Sequence, residues 1–346
     1  MSDTPGAVGR LSRRGFLGAS GGALAAPLLV GRAQAAARAT GTVDNGRSDG
    51  VRTGGNRAIR IDGRYDVWVR QVGTGPIPVL TLHGGPGMSH YYLECFEEFL
   101  PPDECRFWLY DQLGCGFSDR PDDTSLWTID RYREEVEQVR KALGLDRFIL
   151  FGHSWGGLLA MEYALRYQKH LTALVVSNMT ASTAAYVEYA KELRARLPAD
   201  VVARMQTFED RGEFHAPEYE QLLRDTLYQR HFCRLDPWPE PVDRTMRFLN
   251  AQVYETMQGP DEFRIVGNYK DWDRWSDLHR IDVPTLLLVG RHDTMSPVQM
   301  QRMSTLMPRA RCVVLENGSH MSMYDDQAAY FRTLVGFLRG FRTGGR

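Results

Sequence analysis

The sequence predicts an α/β fold, with a mostly parallel central sheet, helices on both faces and one helical insertion. Three observations carry this. Short apolar runs alternate with helical patterns along most of the chain, an order that favours parallel strands joined by crossover helices. Between residues 183 and 275 the alternation stops, and helices and aromatic-rich loops take over. Gly152-x-Ser154-x-Gly156 sits between the apolar run 147–151 and a helix-like segment from Leu158, which puts a serine on a sharp strand-to-helix turn.

The elements follow in chain order. Ser12-Arg13-Arg14-Gly15-Phe16-Leu17 is a twin-arginine export pattern, followed by a weakly apolar stretch to Gly31 and the small-residue site Ala33-Gln34-Ala35. Residues 1–35 are expected to be a signal peptide cleaved after Ala35. The twin-arginine machinery would then be an export partner, and the mature chain would work in the periplasm, the cell envelope or the medium. The apolar stretch is too short and glycine-rich to span a bilayer, so no stable membrane span is expected after cleavage. Residues 36–56 are polar and without period, and read as a flexible lead-in. Tyr65–Val72 alternates and reads as an early antiparallel strand. Residues 79–82, 107–110, 148–151, 173–177, 285–289 and 311–315 are short apolar strands, with helices expected over Ile129–Leu143 and 158–167. The core therefore comprises residues 57–182 and 276–346, and residues 183–275 read as a helical cap over the site. Tyr219, Tyr228, Phe232, Trp238, Phe248, Tyr254 and Phe263 make that segment too apolar to lie loose on the surface.

Formal net charge is −1, and the signal segment carries four arginines against one aspartate, so the mature part is mildly acidic. No basic run of the nucleic-acid-binding kind is present. The five cysteines (Cys95, Cys105, Cys115, Cys233, Cys312) are an odd count, and a Cys95–Cys105 bridge is left open. There is no His-Glu-x-x-His and no Cys-x-x-Cys, so neither metal nor cofactor is expected.

The chemistry follows from spacing. The glycines around Ser154 suit a turn where side chains would strike the adjoining strand and helix. The run 79–82 leads into His83-Gly84-Gly85-Pro86-Gly87, the place of an oxyanion loop. Gly85 and the N–H of Trp155 are the expected oxyanion donors. Asp293 follows the strand 285–289, and His320 follows the strand 311–315. The order Ser154, Asp293, His320 is that of the α/β-hydrolase fold, with nucleophile, acid and base in turn. Competing residues have plainer readings. His292 adjoins the acid but should point away from it, Asp325 and Asp326 suit a helix start, and His83 and His153 suit turn and packing roles.

Beyond these motifs the chain resembles the prolyl iminopeptidases. The resemblance is carried by His83-Gly-Gly-Pro-Gly87, Tyr110-Asp-Gln-Leu-Gly-Cys-Gly-Phe-Ser118 and Gly152-His-Ser-Trp-Gly156. It continues through Ala216-Pro-Glu-Tyr219, Gly259-Pro-Asp-Glu-Phe263 and Lys270-Asp-Trp-Asp273, where it is closest to tricorn-interacting aminopeptidases and L-amino acid amidases. It spans residues 59–341 and implies an exported serine aminopeptidase that removes an N-terminal residue, often proline, from short peptides or amino-acid amides. The alternatives are an L-amino acid amidase and a capped carboxylesterase. An exopeptidase must replace the hydration of a charged amine with a carboxylate, and the resemblance implies Glu262 for that substrate-binding role. The P1 side chain is expected among cap aromatics and Trp155. Some relatives carry a second amine-binding glutamate directly after the acid. Thr294 stands there in this chain, and Glu213 and Glu218 are candidate substitutes.

Overall fold

The structure, a computed structural model, describes residues 54–342 in full and, before them, the backbone of Thr42–Val43, Arg47–Ser48 and Val51–Arg52. The signal segment 1–35 and its cleavage site lie outside the described residues. Eight core strands are β1 (Asn56–Ile61), β2 (Tyr65–Val72), β3 (Ile77–Leu82), β4 (Cys105–Tyr110), β5 (Phe148–His153), β6 (Leu171–Ser177), β7 (Thr285–Gly290) and β8 (Ala310–Leu315). They lie in the order β1-β2-β4-β3-β5-β6-β7-β8, and Thr42–Val43 pairs with Asn56 and Arg57 on the outer edge. The β1–β2 and β2–β4 pairs are antiparallel, and every later pair is parallel. No expectation covered β1. Only Ile59 and Ile61 alternate inward there, and two residues are too few to register as a pattern.

The inner parallel strands form because both their faces are apolar, whereas edge strand β8 buries only Leu315. Every residue of β5 is buried. Phe148 and Leu150 pack into the cluster on one side of the sheet, Ile149 and Phe151 into the cluster on the other. Each such side chain stabilises the fold by about 2 kcal/mol on burial. Helix α1 (Ile129–Leu143) covers one face. Thr128 caps its start by accepting from the Arg131 N–H, and Gly144 ends it in a left-handed conformation. Tyr132, Val136 and Val139 are its buried stripe. Helix α2 (Trp155–Tyr167) follows Ser154 and buries its first ten residues.

The chain leaves β3 for β4 on one side and returns to β5 on the other. The strand order therefore reverses at the β3–β5 boundary, and a crevice opens at their carboxyl ends. Between β6 and β7 lie α3 (Thr183–Ala195), α4 (Ala199–Asp210), α5 (Pro217–Leu223), a π-helical stretch (Arg224–Phe232), α6 (Glu240–Arg247) and α7 (Ala251–Met257), and no strand of the sheet. This insertion has a small core of its own around Met205, Tyr219, Leu223 and Leu227. Tyr219, Phe232, Trp238 and Tyr254 are buried as expected. Phe248 is a correction, since it is 47% exposed. It terminates α6 and meets Tyr91 only edge-on, at 6.0 Å. All five cysteines are free thiols.

Candidate active site

The site assembles at the carboxyl ends of β3, β5, β6, β7 and β8. Ser154 follows β5 with φ 56° and ψ −127°. That conformation costs a non-glycine residue about 1–3 kcal/mol. A serine at a helix start would ordinarily cap it, but Ser154 makes no side-chain cap. The strained backbone instead leaves Oγ free at the positive end of α2. The flanking glycines are required by space. A Cβ on Gly152 would lie 2.0 Å from the Gly156 carbonyl oxygen, and one on Gly156 would lie 2.2 Å from that of Leu82.

His320 is buried on the loop after β8, and its Nδ1 lies 2.8 Å from Asp293 Oδ1. Asp293 is fully buried and also accepts from the Met295 N–H at 3.1 Å and from Asn178 Nδ2. Burial lowers the basicity of His320, but Asp293 and then Glu262 raise it, and the net direction is upward. An Nδ1–H donated to Asp293 leaves Nε2 as the working nitrogen. No hydrogen bond joins Nε2 to Ser154 Oγ among the described residues; the nearby charge is Glu262 Oε1, at 3.6 Å.

Gly85, with φ +111°, sits in the turn after β3. Its N–H and that of Trp155 donate no hydrogen bond among the described residues. Two unused amides flanking the nucleophile suit a developing oxyanion. Their loop is held from behind. Tyr92 Oη accepts from the Gly84 N–H at 2.6 Å and lies 3.0 Å from His153 Nδ1. His153 Nε2 lies 2.9 Å from the His320 carbonyl oxygen. Burial and then the nearby His320 push the His153 pKa well down, so it is neutral. The consistent pattern has Tyr92 donating to Nδ1 and Nε2–H donating to the His320 carbonyl. Gln112 Nε2 donates to the His83 carbonyl, and its Oε1 accepts from Trp155 Nε1.

Glu262 is 4% exposed. Its Oε2 accepts from Tyr254 Oη at 3.0 Å and Gln258 Nε2 at 2.9 Å, while Oε1 faces His320. The insertion also grips the His320 loop directly: the His320 N–H donates to the His231 carbonyl, and the Met321 N–H to that of Phe232. The π-helical stretch supplies both carbonyls.

Each competing residue has another task. His83 Nε2 accepts from the Gln112 N–H, and burial pulls its pKa down to about 4. The His292 carbonyl accepts from His231 Nδ1. Asp325 accepts from the Ser319 N–H, and Asp326 from that of Asn317. Thr294 Oγ1 lies 3.1 Å from His320 Nδ1 and 3.3 Å from Asp293 Oδ1, so it joins the acid–base pair. Glu213 and Glu218 are exposed and do not replace a second amine-binding acid. The buried acid next to Glu262 is Asp261, which burial pushes up to about 6. It accepts from the Phe263 N–H, and Tyr219 Oη donates to its other oxygen at the long distance of 3.5 Å.

Sequence reasoning missed Asn178, Tyr92, Gln112, Tyr254 and Gln258. Two signals were available. Asn178 stands at the carboxyl end of β6, as Asp293 stands just past β7. Tyr254 lies on α7 and Gln258 is its C-cap, four residues apart on one helix face, and the chain then turns at Gly259 to bring Glu262 back against both.

Comparison with known proteins agrees with this architecture. Residues 77–327 match the α/β-hydrolase fold family. The chain is 44% identical over 280 residues to a proline iminopeptidase of Flavobacterium johnsoniae, covering 80% of this chain and 94% of that protein. It is 43% identical over 286 residues to one of Elizabethkingia meningoseptica, covering 81% and 96%. Among solved structures, VinJ aligns with a TM-score of 0.79 at 33% identity, covering 82% of this chain and 98% of that one. A Mycobacterium smegmatis proline iminopeptidase aligns at 0.76 and 31%, with the same coverage. The chain belongs to the proline iminopeptidase family of α/β-hydrolases.

Proposed function

We propose that this chain is an exported serine aminopeptidase that releases an N-terminal residue, proline first, from short peptides or amides through an acyl-enzyme. The observation that carries it is Glu262: a carboxylate buried above the base, with hydrogen-bond donors on one oxygen and none on the oxygen facing the site. A substrate ammonium fits there, because a buried charge needs an opposite charge to replace hydration. The relatives named proline iminopeptidase support proline as the residue released. Trp155 and Tyr269, stacked at 5.9 Å, offer an aromatic wall for the pyrrolidine ring.

With the ammonium on Glu262, the reaction requires the first carbonyl to reach Ser154. Its Oγ attacks, the Oγ proton passes to His320 Nε2, and the oxyanion meets the Gly85 and Trp155 amides. Asp293 holds the Nδ1–H and favours the imidazolium. Collapse breaks the C–N bond, and His320 returns the proton to the departing amine. Water, deprotonated by the same nitrogen, then frees the amino acid and restores Ser154. An amino-acid amide presents the same acyl group with a smaller leaving group, so the same residues would serve an amidase.

Glu262→Gln tests this reading. Truncating one partner of a buried charge pair costs about 2–5 kcal/mol. Hydrolysis of Pro-p-nitroanilide should therefore fall by about 30-fold or more, while p-nitrophenyl acetate is spared. Equal losses on both would remove the anchor role. Export rests on Arg13 and Arg14. Their joint replacement by lysine should retain the protein in the cytoplasm; unchanged export would refute twin-arginine routing.

A further inference from the structure

We propose that Glu262 also gates the base: in the free enzyme its carboxylate holds His320 protonated, and a substrate ammonium releases the base by claiming that carboxylate. This rests on the anchor role of Glu262 and adds a second route to free-amine selectivity, through the reactivity of the base.

One buried imidazole lies between two buried carboxylates, Asp293 at 2.8 Å from Nδ1 and Glu262 at 3.6 Å from Nε2. Among the described residues, His320 is the sole ion-pair partner of Glu262. The other groups packed on Glu262 are neutral donors or hydroxyls: Tyr254, Gln258, Tyr186 on its carbonyl and Tyr228 on its N–H. Asp261 adjoins it in the chain. Around His320, Thr294 shares the Nδ1 edge, while Phe232 and the neutral His153 flank the ring at 5.5 and 4.9 Å between centroids. Asp325 sits behind the loop on Ser319. No lysine or arginine is ion-paired to either buried carboxylate among the described residues.

The site therefore holds two carboxylates and one group able to become a cation. Such an arrangement favours the imidazolium. An imidazolium cannot accept the Ser154 proton, so the free enzyme rests with its base blocked over part of the neutral range. A bound ammonium changes the count. It neutralises Glu262 and places a second positive charge beside Nε2. Both effects favour the neutral imidazole, whose proton leaves to solvent. Nε2 is then free for Ser154. An ester without an amine, or an N-blocked peptide, leaves Glu262 charged and the base protonated.

An opposite charge at this range moves a pKa by about one to three pH units. In wild-type enzyme, the acid limb of kcat for Pro-p-nitroanilide should therefore lie at least about one pH unit below the acid limb of kcat/KM for p-nitrophenyl acetate. In Glu262→Gln the acetate limb should drop by a similar interval, and acetate turnover near pH 6 should rise while the anilide is lost. Coincident limbs in wild type, unmoved by Glu262→Gln, would overturn the gate. That result would leave the anchor standing if the anilide alone were lost. A variant that still cleaves the anilide at the wild-type rate would instead overturn the anchor. A measurement without any variant is the proton count on binding prolinol, from calorimetry in buffers of different ionisation enthalpy. Release of protons, largest near the free-enzyme limb, supports the gate; no exchange or uptake refutes it.

Discussion

Replacing Tyr92 with Phe removes one oxygen from the centre of the relay that joins the oxyanion loop to the base. In the wild type that oxygen satisfies the Gly84 N–H at 2.6 Å and serves His153 Nδ1 at 3.0 Å, in surroundings closed to water. The ring would stay, packed in the cluster of Leu93 and Phe96, so no cavity of consequence opens. Two buried polar groups would lose their partner, each at about 1–3 kcal/mol. The expected loss of stability is about 2–6 kcal/mol, which a domain toward the upper end of ordinary stability survives at 25 °C. The catalytic effect has a ceiling, since losing one oxyanion donor outright costs about 3–4 kcal/mol. A loosened Gly84–Gly85 turn should forfeit part of that, giving a fall in kcat of about 10- to 100-fold. KM should change little, because the amides engage charge that develops only in the transition state. Urea unfolding and steady-state hydrolysis of Pro-p-nitroanilide measure the two effects separately. A variant that loses stability but keeps the wild-type kcat would refute the claim that this hydroxyl aims the loop.

Further outcomes follow from the same geometry. Ser154→Ala should abolish turnover with an unchanged circular-dichroism spectrum; residual activity in clean protein would reject the nucleophile. Gly156→Ala should lower the urea midpoint sharply or prevent folding, since its Cβ would lie 2.2 Å from the Leu82 carbonyl oxygen; a well-folded, active variant would contradict the packing argument. Asn178→Ala strips a donor from Asp293 Oδ2, so kcat should fall about tenfold at near-constant KM, and an unaltered kcat would deny Asn178 a positioning role. His83 is held neutral by burial, with a folded pKa near 4 against 6.5 ordinarily. Between those values the unfolded chain binds the extra proton. The contribution of about 3 kcal/mol is therefore complete above pH 6.5 and lost as pH falls toward 4. His83→Asn should flatten the acid slope of the urea midpoint relative to wild type, and identical slopes would refute the assignment.

The strands were legible where both faces of the sheet demand apolar residues, as along Phe148–His153, and the elbow was legible because its glycines are dictated by contacts under 2.5 Å. Asp293 could be placed because it follows such a strand, the fully buried Thr285–Gly290, and His320 because it follows the short apolar run Cys312–Leu315, although that edge strand buries only Leu315. Edge strand β1 escaped because only two of its residues face the core. The relay through Tyr92 and His153 escaped for a different reason. Its partners lie 61 residues apart, and nothing local marks a tyrosine as the acceptor for a glycine amide. Thr294 was read as the position of a missing amine ligand, yet its hydroxyl turns to the acid and base. The direction of a side chain at the end of a strand depends on the loop around it, which sequence spacing does not specify. The contact between Glu262 and His320 likewise joins the insertion to the last core loop across 58 positions, and only the folded chain brings them together.

The most direct test is a comparison of Pro-p-nitroanilide, Ala-p-nitroanilide, N-acetyl-Pro-p-nitroanilide and p-nitrophenyl acetate as substrates of the wild-type enzyme. Cleavage of the free-amine anilides is expected, proline ahead of alanine, with the blocked anilide refused. Turnover of the ester alone, or equal cleavage of blocked and free anilides, would contradict it.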